Sequence, residues 1–341
     1  MARPVQNKPG AAERQLPGSS PVPSPLADTG PYFAVPVSTL RIDVVTDFDL
    51  YLEMPGKPAV LYRAASLSFT EEARARLNEA RVATLLVSKK QSEAYHAYVE
   101  ANLGAVLADD GVPLDDRAAL LYESSTFVMQ QLMQAPRSGP MLPRAKRLVN
   151  HTTAFLFHEG AAIRSLMRLT SYDYYTYTHS VNVFLFSIAL AQHLGHGEAK
   201  VCEFGEGALL HDIGKSQIDP AVVNCRGKLT SAQWREMRRH PEFGQSLLFE
   251  MGVTSPLVLD VTRHHHEKIN GTGYPDGLRG GQISLWARIA SICDIFDALT
   301  TRRSYKAAMH SFPGLRLMQD EMGGEIDAEI FKSFVVMLGN E

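Results

Sequence analysis

From about residue 145 onward, apolar residues recur at three- and four-residue spacing and strict alternation is almost absent. That period predicts helices over 145–169, 172–194, 198–212, 231–239, 242–251, 256–267, 284–301 and 325–338. Upstream the pattern is mixed. TLRIDVV and PAVLYRA read as short strands, SLSFTEEARARLNEA as a helix capped by Ser68 or Thr70 with Glu71 and Glu72 in its first turn, and RVATLLVS as a further strand. Residues 92–135 return to helical periodicity, carried by Leu120, Leu121, Phe127, Val128, Leu132 and Met133, until the prolines of APRSGPMLP end it. The fold is therefore α+β overall: a small α+β domain over 39–105, a helical linker over 106–143 and an all-α helical bundle domain over 144–341, with the boundary near Pro143.

Residues 1–38 are set apart by composition. They hold eight of the nineteen prolines, with Ser and Gly between them, and such a stretch buries too little apolar surface to offset its ordering entropy, so a disordered tail is expected. The rest is ordinary globular composition, 45% hydrophobic over 341 residues. A formal net charge of -3 gives no global case for binding a nucleic-acid polymer or an anionic membrane, so a phosphate ligand must be met locally. Cys202, Cys225 and Cys293 are scattered and odd in number, which predicts free thiols in a reducing compartment. No run reaches the ~18 apolar residues needed to span a bilayer and no apolar leader opens the chain, so the expectation is cytoplasmic.

The chemistry sits where polar residues interrupt the apolar helices. Eight of the twelve histidines fall between His179 and His266. His179 shares a strongly apolar helix face with Tyr172, Tyr175 and Asn182; alone, such a residue is more often a hydrogen-bonded core histidine. In LLHDIGK, His211 and Asp212 offer one imidazole and one carboxylate, and the second carboxylate oxygen is free for another metal. An inward Asp is costly without a cation, and Lys215 just beyond can present an ammonium to an anion. In KLTSAQWREMRRHPEFG, Thr230 and Gln233 form a capping box and Pro241 starts a new helix, which leaves His240 at the joint; Arg235, Arg238 and Arg239 read as a solvated face.

VTRHHHEKINGTGYPDGLRG is the densest segment. Ser255 and Pro256 start a helix that ends in three histidines, of which two adjacent ones can approach one metal while the third faces elsewhere; the turns from Asn270 to Gly277 make a loop able to cover a ligand. In SLWARIASICDIFDALTTRRSYK, Ala287, Ala290, Ser291, Asp294 and Asp297 line a small, polar face opposite Ile289, Ile292, Phe296 and Leu299. A buried mid-helix Asp294 calls for a cation, and Arg303 and Lys306, one turn apart, can both reach an anionic ligand. His179, His211, Asp212, His240, His265, His266 and Asp294 together give five imidazoles and two carboxylates. That is too many for one ion and suits two octahedral ions sharing Asp212, an arrangement that activates water for phosphoryl hydrolysis.

Taken in order, HS at 179, LLHDIGK at 209, HPEFG at 240, HHEKINGTGYPDGL at 265, ARIASICDIFDAL at 287 and RRSYK at 302 resemble the HD-GYP branch of the HD phosphohydrolases over about residues 165–335. The unit from FDLYLE through LYRAAS to TLLVS is similar to N-terminal regions that accompany HD-GYP domains. The resemblance implies an HD-type bundle that hydrolyses cyclic di-GMP to pGpG, GMP or both with two divalent ions, iron or manganese. It implies His179, His211, Asp212 and Asp294 around one ion and Asp212, His240, His265 and His266 around the other, with Lys215 on the scissile phosphate. Gly273, Tyr274 and Pro275 would shape the pocket and a partner surface, and Arg303 with Lys306 would grip phosphate or guanine. A diguanylate cyclase (GGDEF) or another signalling protein at the GYP loop, and a homodimer, are the partners this suggests.

Two other readings compete. A non-catalytic cyclic di-GMP sensor acting through the GYP surface would be favoured by a missing ligand, and none is missing; a hydrolase of another nucleotide is disfavoured by the GYP loop. The chain departs from the family twice. Some members place a glutamate for a third metal where Tyr175 stands, which implies two ions here, and Lys268-Ile269-Asn270 replaces a frequent Arg-Trp-Asp without removing a ligand.

Overall fold

The computed structural model describes residues 28–54, 56–170, 175–225, 227–301 and 309–339. The N-terminal unit is an antiparallel sheet of β1 (Asp28–Thr29), β2 (Tyr32–Pro36), β3 (Leu50–Met54), β4 (Lys57–Arg63) and β5 (Thr84–Ser88), in the order β1-β2-β5-β3-β4. β2 pairs with β5 along its whole length and turns Phe33 and Val35 inward. The tail expected to Ser38 therefore gives way to sheet by residue 28: proline counting averaged away the alternating apolar positions of YFAVP. TLRIDVV, expected as a strand, is instead irregular. Asp43 takes φ 59°, which Asp tolerates, and its N–H donates to Phe69 O at 2.8 Å. α1 (Glu71–Glu79) begins at Thr70, whose side chain accepts from Ala73 N, and α2 (Ser92–Leu107) lays Tyr95, Tyr98 and Val99 against the sheet core of Phe33, Phe48 and Leu85.

The remaining helices are α3 (Leu114–Gln134), α4 (Met141–His158), α5 (Ala162–Leu169), α6 (Thr176–His193), α7 (Glu198–Leu210), α8 (Pro220–Val223), α9 (Ser231–Met237), α10 (His240–Glu250), α11 (Pro256–His264), α12 (Leu285–Thr300), α13 (Ser311–Met322) and α14 (Ala328–Gly339). The helix expected over 145–169 is two, divided at Glu159-Gly160. α13 was not foreseen. Its Pro313-Gly314 pair reads as a break, yet it sits in the first turn, where a missing N–H costs little.

The segment expected as a linker is part of the core. α3 buries Leu120, Leu121, Val128, Met129 and Leu132 in one cluster that runs from Phe33 to Met337. On one side Ser38 Oγ donates to Asp116 Oδ2 at 2.6 Å; on the other Tyr122 Oη donates to Asn182 Oδ1 at 2.8 Å. Pro143, placed at a boundary by the sequence, lies in the first turn of α4. Among the described residues, no helix is long and apolar enough to cross a membrane.

Candidate metal centre

Five helices converge on one point. α6 contributes His179, the end of α7 His211 and Asp212, the start of α10 His240, the end of α11 His265 and His266, and α12 Asp294. A 3-10 turn (Ile213–Gln217) follows Asp212, and Gly214 lets it lie against α10: a Cβ there would come within 2.0 Å of His240 O. His240 Nε2 is 3.1 Å from Asp212 Oδ1 and 3.2 Å from His265 Nε2. Across the centre, His179 Nε2 is 3.0 Å from Asp294 Oδ1 and 3.6 Å from Asp212 Oδ2, and His211 Nε2 is 3.4 Å from the same Asp212 oxygen. Two groups result, Asp212 with His240, His265 and His266, and His179 with His211 and Asp294, and within each the potential ligand atoms lie within 4.8 Å of one another.

The outer hydrogen bonds aim these rings. Nδ1 of His179 meets Asp297 Oδ2 at 2.7 Å, while Nδ1 of His211, His240 and His265 meets Ala208 O, Met237 O and Thr262 O at 2.8, 2.8 and 2.9 Å. Each partner is an acceptor, so each Nδ1 carries the proton and Nε2 faces inward with its lone pair, the tautomer a metal requires. Burial keeps His265 neutral and brings His266 down to about 3. Burial alone would raise Asp212, but Lys215 and then His211 and His240 hold it well below the usual carboxylate range. Neutral imidazoles and ionised carboxylates are the protonation states that bind a divalent cation.

A divalent cation also answers what the residues leave unsatisfied. Among the described residues, the buried His211 Nε2 and Asp212 Oδ1 have no hydrogen-bond partner. Such orphans are costly in a core and are met by a cation. Lys215 Nζ lies 2.5 Å from Asp212 Oδ2 at the edge of the centre. Tyr175 is 56% exposed and stacked on Tyr177, so the position of a third-metal glutamate carries no carboxylate.

The loop beside the centre is fastened by residues the sequence did not single out. Glu267, buried, accepts from the backbone N–H groups of Asp276, Gly277 and Leu278. His264, the histidine expected to face elsewhere, bonds Asp260 and Asp276, and Arg263 clamps Asp276 through two 2.7 Å bonds. Gly273 allows the return of the loop, since a Cβ would meet Lys268 N at 2.4 Å, and Tyr274, joined to Pro275 by a cis peptide, stacks on His266 with centroids 4.7 Å apart. Asp297 was noted only as part of a polar face; its carboxylate orients His179 and is itself held by Asn182 and Thr301. Arg303 and Lys306 lie outside the described residues.

Residues 166–330 match the HD domain family. The chain is 40% identical over 224 residues to cyclic di-GMP phosphodiesterase PA4108 of Pseudomonas aeruginosa, covering 65% of this chain and 54% of the relative. It is 38% identical over 245 residues to 3'3'-cGAMP-specific phosphodiesterase 3 of Vibrio cholerae, covering 68% and 51% respectively. The chain thus spans about half the length of these curated relatives. Bd1817, a HDG"Y"P protein from Bdellovibrio bacteriovorus, shares the fold, with a TM-score of 0.62 over 90% of this chain and 99% of that one at 23% identity. His211-Asp212 and its companion histidines, with Gly273-Tyr274-Pro275 on the loop beside them, all lie within the stretch of this chain that matches the HD domain family.

Proposed function

We propose that the protein is a metal-dependent phosphodiesterase that hydrolyses cyclic di-GMP. The observation that carries this reading is the pair of ligand groups meeting at Asp212 with two orphaned buried polar atoms between them. His179, His211, Asp212 and Asp294 would hold one ion and Asp212, His240, His265 and His266 the other, with iron or manganese suited to such mixed imidazole and carboxylate sets. Bound divalent ions supply Lewis acidity to a phosphoryl oxygen and lower the pKa of water toward neutrality. The residues of the chain supply the rest. The four Nδ1 contacts fix the rings before substrate arrives, so little reorganisation is needed in the transition state. Lys215, beside Asp212, presents an ammonium to the charge that develops on the scissile phosphate. Tyr274 and Pro275 wall the mouth, and Arg303 and Lys306 would contact phosphate or guanine.

Water adds across one P–O3' bond to give linear pGpG, and a second cleavage gives GMP. The relatives named for cyclic di-GMP and for 3'3'-cGAMP support a cyclic dinucleotide and leave a guanine-adenine substrate as the second reading. A GGDEF protein docking on the Tyr274-Pro275 surface is the partner this reading favours. The test is anaerobic reconstitution with Fe(II) or Mn(II), metal analysis, and product chromatography with each dinucleotide. Two ions per chain and faster turnover of cyclic di-GMP are expected; metal-loaded protein that cleaves neither dinucleotide would refute the proposal.

A further inference from the structure

The arginines of REMRRHP were expected to form a solvated face, and Arg238 does not. Its guanidinium carbon lies 4.5 Å from the centroid of the Tyr274 ring, whose other neighbour is His266 at 4.7 Å. The adjacent Arg239 turns instead to Phe243, at 4.4 Å, and Arg263 on the far side of the loop is spent on Asp276. Arg238 alone of these three lies on a ring that packs against a residue of the centre, and among the described residues no carboxylate pairs with it within salt-bridge distance. Arg238, the residue that follows α9, is itself partly exposed.

A guanidinium stacked by one face on an aromatic ring keeps its edge N–H groups for the non-bridging oxygens of a phosphodiester, and stacking removes much of the freedom it would otherwise lose on binding. The arrangement leaves two cations at different depths. Lys215 touches Asp212 among the metal ligands, whereas Arg238 reaches them only through Tyr274, whose ring packs against His266. A cyclic dinucleotide carries two phosphodiesters on opposite sides of one macrocycle. When one is at the metal ligands, the other must be displaced outward.

We infer that Arg238 is a substrate-binding residue that donates to the non-scissile phosphodiester of a cyclic dinucleotide, with Tyr274 holding its guanidinium in plane. This rests on the cyclic dinucleotide reading above and adds to it the residue that would make a second phosphate a requirement.

The test compares metal-loaded wild type with Arg238→Met and Arg238→Lys on two substrates, cyclic di-GMP and bis(p-nitrophenyl) phosphate, which has a single phosphodiester. For Arg238→Met the KM for cyclic di-GMP should rise about tenfold, from loss of a charge-assisted hydrogen bond, with the change concentrated in KM and not in kcat. Its kcat/KM for cyclic di-GMP should fall at least tenfold more than that for bis(p-nitrophenyl) phosphate, and Arg238→Lys should recover part of the difference. A parallel loss on both substrates would show that Arg238 acts only by holding the loop, and unchanged KM values would show that it does nothing for binding; either overturns the inference alone. Wild type that cleaves bis(p-nitrophenyl) phosphate and neither cyclic dinucleotide overturns the substrate reading and the inference with it.

Discussion

His179 is held by a relay as much as by its own helix. Tyr122 Oη donates to Asn182 Oδ1, Asn182 Nδ2 donates to Asp297 Oδ1, and Asp297 Oδ2 takes the His179 Nδ1 proton. Asp297→Asn keeps the shape but removes the charge that makes Nε2 a strong ligand. Metal affinity should fall 10- to 100-fold, roughly the range for such outer partners, as read by chelator competition. Undiminished affinity would place the tautomer under other control. Asp212→Ala should do more, leaving at most one ion per chain by metal analysis and lowering turnover at least about a thousandfold. A separate residue, outside the candidate ligand set, sets a pH dependence. Burial pushes the Glu123 carboxyl up to about 8 from 4.5, and it brings His96, 3.9 Å away, down to about 4 from 6.5. Between pH 6.5 and 8, His96 is neutral when folded and at most half protonated when unfolded, whereas Glu123 is largely protonated when folded and ionised when unfolded. The folded state then binds the extra proton, so stability falls as pH rises through that window. Thermal midpoints should decline from pH 6.5 to 8, and Glu123→Gln should flatten the decline; an equal slope in both proteins would exclude Glu123 as the cause.

At the scale of elements, the centre depends on how helix ends meet. The helix termini foreseen from Thr230-Gln233, Ser255-Pro256 and Pro241 are present, because a cap is a local hydrogen bond and a proline a local restriction. What joins these termini is a backbone contact that has no side-chain signature. Gly214 touches α10 so closely that its missing Cβ would lie 2.4 Å from Gly244 N. Gly214→Ala must push α10, and with it His240, away from Asp212. Overpacking of this kind costs about 1–3 kcal/mol or more. Lower thermal stability together with weaker metal binding is expected from calorimetry and metal titration. A variant that binds metal as tightly as wild type would mean that the α10 contact is soft.

At the scale of the whole molecule, sheet and bundle share one core. Arg144 Nε bonds Glu100 Oε2 at 2.8 Å between α4 and α2, and Arg117, on α3, bonds Leu107 O and reaches Glu159. Apolar side chains from Phe33 to Met337 belong to a single cluster. Calorimetry should therefore give one cooperative transition, and two separable transitions would contradict the shared core. The sequence by itself determined most of the helices and caps and singled out seven residues whose side chains the structure brings together, because 3.6-residue periodicity, capping chemistry and the scarcity of uncompensated inward carboxylates are all visible residue by residue. It also determined that one of three adjacent histidines would turn away, as His264 does. Only the tertiary structure decided that α3 side chains join the core, that YFAVP is a strand inside a proline-rich stretch, that Asp297 bonds His179, that Glu267 holds the loop and that Arg238 lies on Tyr274. The reason is physical: these depend on partners such as His179 and Tyr274 that lie tens of residues away in sequence, and periodicity within one element carries no record of what faces it.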